Sequence, residues 1–425
     1  MGERRSRSYV DARLTPDGQV RPVHPVAAGG ADGTGVARDR AAGSDPVLVD
    51  AIREELAAAG GRLTFARFME LALYHPERGY YTTDAERPTR SGDFLTAPEV
   101  HPMFGQLLAR QLDEMWRHLG QPDPFILREH GAGRGVLGEA ILAGLAAEGS
   151  GLSETIRYEP VDLPQRTEAA RARVQAAGFE RTMPHEGAGA QPSGTITGCI
   201  LANELLDALP VHRLGMLDGS LVEWFVVWRD GWFGEAPGPP SDSAVASHLE
   251  RAGVTLREGQ RAEVSPAAAT WISEAAASLE RGYVVLIDYG YPAAQLYGER
   301  RHHGTLRAFR GHHVSDDPFR AVGAQDLTAH VDLTTAERVA QDAGLTILGR
   351  TTQAEFLLGL GLGDLLGAAQ QATVAGLPTL LAARTAAARF IDPGALGGFA
   401  VLIFGRGVAH EPPLRGLAFR VPRPG

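Results

Sequence analysis

Phe125-Ile126-Leu127-Arg128-Glu129-His130-Gly131-Ala132-Gly133-Arg134-Gly135 is the stretch on which the reading of this 425-residue chain turns. An apolar run leads to an acid and then to glycines at alternate positions, and a helical run follows to about residue 147. A short apolar run closed by glycines reads as a buried strand. Glycines at its end let the backbone turn sharply and approach a ligand closely. Outward from this stretch, residues 156–162 read as the next strand and 165–177 as a helix. Residues 196–201 and 283–288 read as two more strands, and 399–404 as a last one. Strands alternating with helices in this way form a doubly wound α/β sheet.

Other segments frame this core. Val47, Val49, Ile52 and Leu56 recur at helical spacing. A second helix runs through Phe65, Phe68, Met69 and Leu73, with Thr64 as its N-cap, and a third covers 103–119. Residues 211–217 and 221–228 read as a hairpin around Asp218-Gly219, 234–242 as a loop, 266–279 as a helix, and 355–390 as an Ala/Leu-rich helical region. Residues 1–45 show no apolar periodicity and lack a secretory h-region, so they are expected to be a disordered, cytoplasmic tail. The expected division is thus a tail (1–45), a helical lid region (46–122), the α/β core (123–210 and 281–407), an inserted α+β subdomain (211–280) and a C-terminal tail (408–425).

Composition narrows the function classes. The 51 acidic residues exceed 41 basic ones for a net charge of −10, which argues against a nucleic-acid binder. All 41 basic residues are arginine, so Schiff-base and P-loop lysine chemistry are excluded. The single cysteine, Cys199, rules out an intramolecular disulfide and a cysteine-based metal cage. No apolar run is long enough to predict a membrane span. The histidine pairs 302/303 and 312/313 have no accompanying carboxylate spacing, and no metal is expected.

Five constellations remain. Glu129-x-Gly131-x-Gly133-x-Gly135 lies between a strand and a helix, whose free N–H groups favour a ligand. Its GxGxG spacing differs from the GxGxxG of dinucleotide folds, and an acid two residues before the first glycine favours S-adenosylmethionine over NAD. Asp162, at the end of the next strand, is expected to hold ribose hydroxyls. Asn203, Glu204 and Asp207 follow the 196–201 strand, where helical spacing would put Asn203 and Asp207 on one face toward the cofactor and substrate. Asp93 and Thr96 lie in a loop, 92–99, that could cover the cofactor. His330 stands in Asp326-Leu327-Thr328-Ala329-His330-Val331-Asp332, either as a buried hydrogen-bonded histidine or as a base.

These motifs, taken in order, resemble the MidA / NDUFAF7 family of S-adenosylmethionine-dependent methyltransferases. The match runs through Phe65-x-x-Phe68-Met69, Tyr74-x-Pro76-x-x-Gly79-Tyr80-Tyr81, Gly92-Asp93-Phe94-x-Thr96-x-Pro98-Glu99 and the glycine loop. It continues with Asn203-Glu204-x-x-Asp207-Ala208-Leu209-Pro210, Asp288-Tyr289-Gly290, Gly304-Thr305-Leu306, the 326–332 segment and Gln353-x-x-Phe356-Leu357. Gly131-Ala132-Gly133 replaces the family's usual Gly-Pro-Gly. The resemblance implies a Rossmann-like, seven-stranded class I methyltransferase sheet with an N-terminal helical extension. It also implies methylation of an arginine of a protein, by analogy a subunit of respiratory complex I. In that reading Glu204 and Asp207 orient the guanidinium, Glu99 and Asp326 stand in reserve, and His330 relays the departing proton. Two other readings compete: a small-molecule or peptide acceptor, and a non-catalytic cofactor-binding assembly factor. Residues 211–280 and 355–390 are the expected partner or homodimer surfaces.

Overall fold

A computed structural model describes residues 40–83, 96–183, 194–310, 313–371 and 376–421. The expected tail therefore lies almost wholly outside the described residues, as do Asp93 and His312. The chain begins with the helix Pro46–Ala58, whose N-cap Asp45 accepts the amides of Val47 and Leu48, with proline at the first turn. Strand β1 (Arg62–Thr64) follows, then the helix Phe65–Tyr74 capped by Thr64, and the helices Ala97–Val100 and Met103–His118.

The core strands are β2 (Phe125–His130), β3 (Ile156–Val161) and β4 (Ile196–Asn203). Between β4 and the rest of the core come β5 (His212–Leu217), β6 (Ser220–Arg229), β7 (Trp232–Gly238) and β8 (Arg261–Val264). The chain then supplies β9 (Leu279–Asp288), β10 (Gly290–Tyr291), β11 (Arg307–Arg310), β12 (His313–Ser315), β13 (Asp326–Thr328) and β14 (Val331–Asp332). It ends with β15 (Thr346–Thr352) and β16 (Ala400–Arg406).

The main sheet has the order β15-β16-β9-β4-β2-β3, six strands among the described residues against the seven expected. Strands β3, β2, β4 and β9 are parallel, and β16 runs antiparallel between β9 and β15. Its strands are apolar on both sides because helices cover both faces. Cys199 and Leu201 share one face with Leu127, Ile141 and Tyr158, while Ile200 and Ala202 pack on the other with Ile272 and Ala336. From β2 the chain steps outward to β3 and returns to place β4 on the opposite side of β2. The order thus reverses between β2 and β4, and ligands of open α/β sheets bind beyond the carboxyl ends of strands at such a point.

Some expectations change. Residues 234–238 form most of β7 rather than a loop; β7 pairs only with β6, and Pro237 is tolerated on that edge. The helix Pro266–Ser278 does not belong with the insert: Ile272, Ala275 and Ala276 pack onto the main sheet. The region 355–390 is broken into the helices Gln353–Gly359, Leu362–Gln371 and Gly376–Ile391. The lid region is not purely helical either, since β1 pairs with β6, Thr64 opposite Phe225. Helices Pro46–Ala58 and Phe65–Tyr74 share one core with Val226, Phe233 and Phe319, so the N-terminal extension and the insert form one layer. The 218–219 hairpin is as read, with φ of 50° at Asp218 and 72° at Gly219, the left-handed pair that a tight two-residue hairpin requires.

Candidate functional site

The glycine loop joins β2 to the helix Val136–Ala147. All three glycines have positive φ, which side chains resist. A Cβ on Gly135 would strike the backbone of Ala170 at 2.8 Å, so Gly135 permits packing against the helix Pro164–Ala176. A Cβ on Gly133 would have nothing within 4 Å. The space above Gly133 is therefore open, and it adjoins the N-terminus of the helix Val136–Ala147, whose partial positive charge favours an anionic group.

Asp162 accepts the Gly133 amide at 2.8 Å and the Leu163 amide at 2.7 Å, so it holds the loop from the end of β3. Glu129 lies inside the fold at the end of β2. It accepts the Tyr158 hydroxyl at 2.6 Å and is 3% exposed beneath the loop. Burial pushes its pKa up to about 8. It supports the turn from below.

The second half of the site stands at the end of β4. Asn203 and Asp207 do not share the expected helix. Glu204 takes a positive φ of 52°, and Leu206–Ala208 is a single 3-10 turn. Asp288, at the end of β9, makes this turn by accepting the amides of Leu206 at 2.9 Å and Asp207 at 3.3 Å. Glu204 Oε1 accepts the Ala97 amide at 3.0 Å and the Asn203 side-chain amide at 3.1 Å. Thr96, the N-cap of the helix Ala97–Val100, is thereby held beside Glu204. A non-glycine residue at positive φ with a buried carboxyl stores strain that its surroundings must offset, a frequent mark of functional sites.

Three carboxyls now share a small buried volume. Burial raises the Glu204 pKa to about 8 and that of Asp288 to about 7, and it pushes Asp207 well up, with Asp288 adding to the effect. Among the described residues, Glu204 Oε2, Asp207 Oδ1 and Asn203 Oδ1 are buried without a hydrogen-bond partner. Buried acceptors without donors are costly. Around them stand tyrosines. Tyr289 donates its hydroxyl to Asp207 Oδ2. Tyr81 donates to Asp326 at 2.8 Å, and Tyr74 to the Ala208 carbonyl at 3.0 Å. The Tyr74 and Tyr81 rings are 5.4 Å apart. They meet because the chain reverses after Tyr74: the Tyr80 and Tyr81 amides bond back to Ala72 and Leu73. A Cβ on Gly79 would strike the Leu73 carbonyl oxygen at 2.6 Å, which explains the glycine in the Pro76-x-x-Gly79-Tyr80-Tyr81 motif. His330 packs between Tyr289 and Tyr291, at 5.2 and 5.5 Å between ring centroids, and burial lowers its pKa to about 4. It is neutral near pH 7.

Tyr74, Tyr81, Asp288 and Tyr289 were not among the expected site residues. Each belongs to a motif of the ordered series, but only the fold shows that those motifs converge. Among the described residues no three His, Cys, Asp or Glu side chains are grouped to hold a metal, and no helix is long and apolar enough to cross a membrane. The open space over Gly133, the loop amides and the Asp162 carboxylate fit the adenosyl and amino-acid parts of S-adenosylmethionine.

Comparison with known proteins agrees with this geometry. Residues 107–351 match the family described as "Putative S-adenosyl-L-methionine-dependent methyltransferase". The chain is 29% identical over 309 residues to the Drosophila melanogaster protein arginine methyltransferase NDUFAF7 homolog, mitochondrial, covering 67% of this chain and 68% of the relative. It is 29% identical over 328 residues to the Homo sapiens protein of that name, covering 71% and 70%. A Burkholderia thailandensis protein crystallised with S-adenosyl-homocysteine superposes with a TM-score of 0.77 at 32% identity, covering 92% of this chain and 97% of that one. One expectation falls: the relatives are named mitochondrial, which overturns the cytoplasmic reading.

Proposed function

The chain belongs to this family of S-adenosylmethionine-dependent methyltransferases, the MidA / NDUFAF7 family of its motifs, and from that premise we propose that it methylates an arginine side chain of a protein. When bound, the cofactor supplies a methyl group made electrophilic by its sulfonium. In this reading Gly131, Gly133, Gly135 and Asp162 hold the cofactor, while Glu204 and Asp207 receive the acceptor.

The supporting observation is the buried carboxyl cluster with its unpartnered oxygens. A guanidinium is planar, cationic and rich in donors, and it stays protonated in water. Its entry gives Glu204 Oε2 and Asp207 Oδ1 the donors they lack and returns both acids to the ionised state. Two carboxylates on one side of the guanidinium then orient it and leave electron density on the nitrogen facing the methyl group. Tyr289 fixes Asp207, and His330, neutral, receives the proton. The names of the curated relatives support an arginine acceptor, and a protein substrate follows from them.

The test uses methyl-labelled S-adenosylmethionine with a protein extract, including the complex I subunit that the resemblance implies. Wild type is expected to label protein. Asp207→Asn and Glu204→Gln are expected to lower kcat by about a hundredfold or more while cofactor binding persists. Unchanged kcat in both variants would overturn these roles.

A further inference from the structure

A cavity of about 30 Å³ is lined in part by His330. Its polar wall is made by His330, His248, Glu263, Tyr297 and Asp332. A water needs roughly 10–15 Å³ on this measure, so one or two fit. Among the described residues, His330 Nδ1, His248 Nε2 and Glu263 Oε1 are buried without a hydrogen-bond partner. His248 and Glu263 are 4% and 5% exposed. Their nearest charged neighbours stand just beyond bonding reach: His248 Nε2 is 3.6 Å from Asp332 Oδ2, and Arg213 Nε is 3.6 Å from Glu263 Oε1. Water in the cavity would supply these buried polar atoms with hydrogen-bond partners.

The frame around the cavity is rigid. Thr305 donates its amide to Glu263 Oε2 at 2.6 Å, and the His330 amide donates to Thr305 Oγ1 at 3.1 Å. Thr335 donates its hydroxyl to Asp332 Oδ2 at 2.7 Å, and Asp332 caps the helix Leu333–Asp342. His330 is thus held through its backbone amide, lines the cavity and packs its ring against Tyr289, the residue that holds Asp207.

We propose that this cavity holds water that carries the acceptor's departing proton from His330 to the His248–Asp332 pair. The proposal rests on the arginine reading above. Methylation of a guanidinium breaks the sulfonium S–C bond, whose electron pair stays on sulfur, and forms an N–C bond. One N–H proton must leave for the product to remain a monocation. His330 takes it on one nitrogen and yields the proton of Nδ1 to the cavity water, which passes one to His248 Nε2. The Asp332 carboxylate stabilises the imidazolium that results. His248 and Asp332 act through His330 and are positioning residues.

Two measurements test this. A high-resolution crystal structure of the full chain with S-adenosyl-homocysteine is expected to show ordered water bonded to His330 Nδ1 and His248 Nε2. In kinetics on a protein fraction labelled by wild type, His248→Phe is expected to lower kcat about tenfold, less than the hundredfold or more of a group that itself takes the substrate's proton, with the KM for the cofactor unchanged. Asp332→Asn provides the second variant: an asparagine oxygen still caps the helix, only the charge facing His248 is lost, and a similar loss of kcat is expected. A dry cavity, or unchanged kcat in both variants with an active wild type, overturns the relay alone. A wild type that labels no protein overturns the arginine reading, and the relay with it.

Discussion

Gly133 and Gly135 both sit at positive φ, yet a side chain at each would meet different surroundings. Gly135→Ala forces a methyl into the Ala170 backbone, so a stability loss of about 2–4 kcal/mol is expected on thermal or urea unfolding. Gly133→Val projects into open space instead. It is expected to stay folded and to weaken S-adenosylmethionine binding on the order of a hundredfold by isothermal titration. Equal unfolding of the two variants would contradict this division. The raised carboxyls make a second residue-scale prediction. Glu129, Glu204 and Asp288 bind protons more tightly when folded, so their contribution is present at low pH and is lost as pH rises from about 5 through about 8. The melting temperature of the ligand-free protein is expected to fall over that window. Glu204→Gln, which cannot ionise, is expected to flatten the fall. At this scale the sharp turn at the glycines is legible in the sequence, because backbone freedom leaves a mark there; the roles of Asp162, Glu204 and Asp207 belong to the proposal above. Tyr74 and Tyr81 were not assigned, because their role depends on a chain reversal that brings them against Asp326. The bond from Tyr158 to Glu129 is not legible either, since alternation along a strand does not say which side chain a buried acid meets.

Among elements, the helix Phe65–Tyr74 links the two layers. Phe68 is fully buried, with Phe65, Phe233 and Phe319 rings 5.7, 5.4 and 5.2 Å away. Phe68→Ala is expected to destabilise the protein by about 3–5 kcal/mol. Because the same helix delivers Tyr74 to the acceptor side, methyl transfer is expected to fall more than cofactor binding. A variant that loses both in equal measure would show that this helix serves stability alone. The helix itself was plain from the spacing of Phe65, Phe68, Met69 and Leu73. Its pairing was not, since Thr64 meets Phe225 across 161 residues of sequence and local periodicity carries no such information. Likewise, Gly and Pro in 234–238 suggested a loop because an edge strand has no second neighbour to forbid them.

For the whole molecule, a doubly wound α/β sheet is legible from the alternation of strands and helices, whereas the point between β2 and β4 where its order reverses is seen only in the fold. The joining of the N-terminal extension and the insert into one covering layer is likewise seen only there. That layer brings Tyr74 and Tyr81 over the strand ends where the glycine loop and the carboxyl cluster lie. In the proposed reading the molecule sets a cofactor cradle at β2 and β3 beside an acidic, aromatic acceptor site at β4 and β9. The direct test of this account is the identity of the labelled residue. Protein labelled by wild type from methyl-tagged S-adenosylmethionine is hydrolysed, and its amino acids are separated and identified by mass spectrometry. The account predicts label in methylarginine, absent with Asp207→Asn. Label in another amino acid, or only in the protein-free fraction, would contradict it.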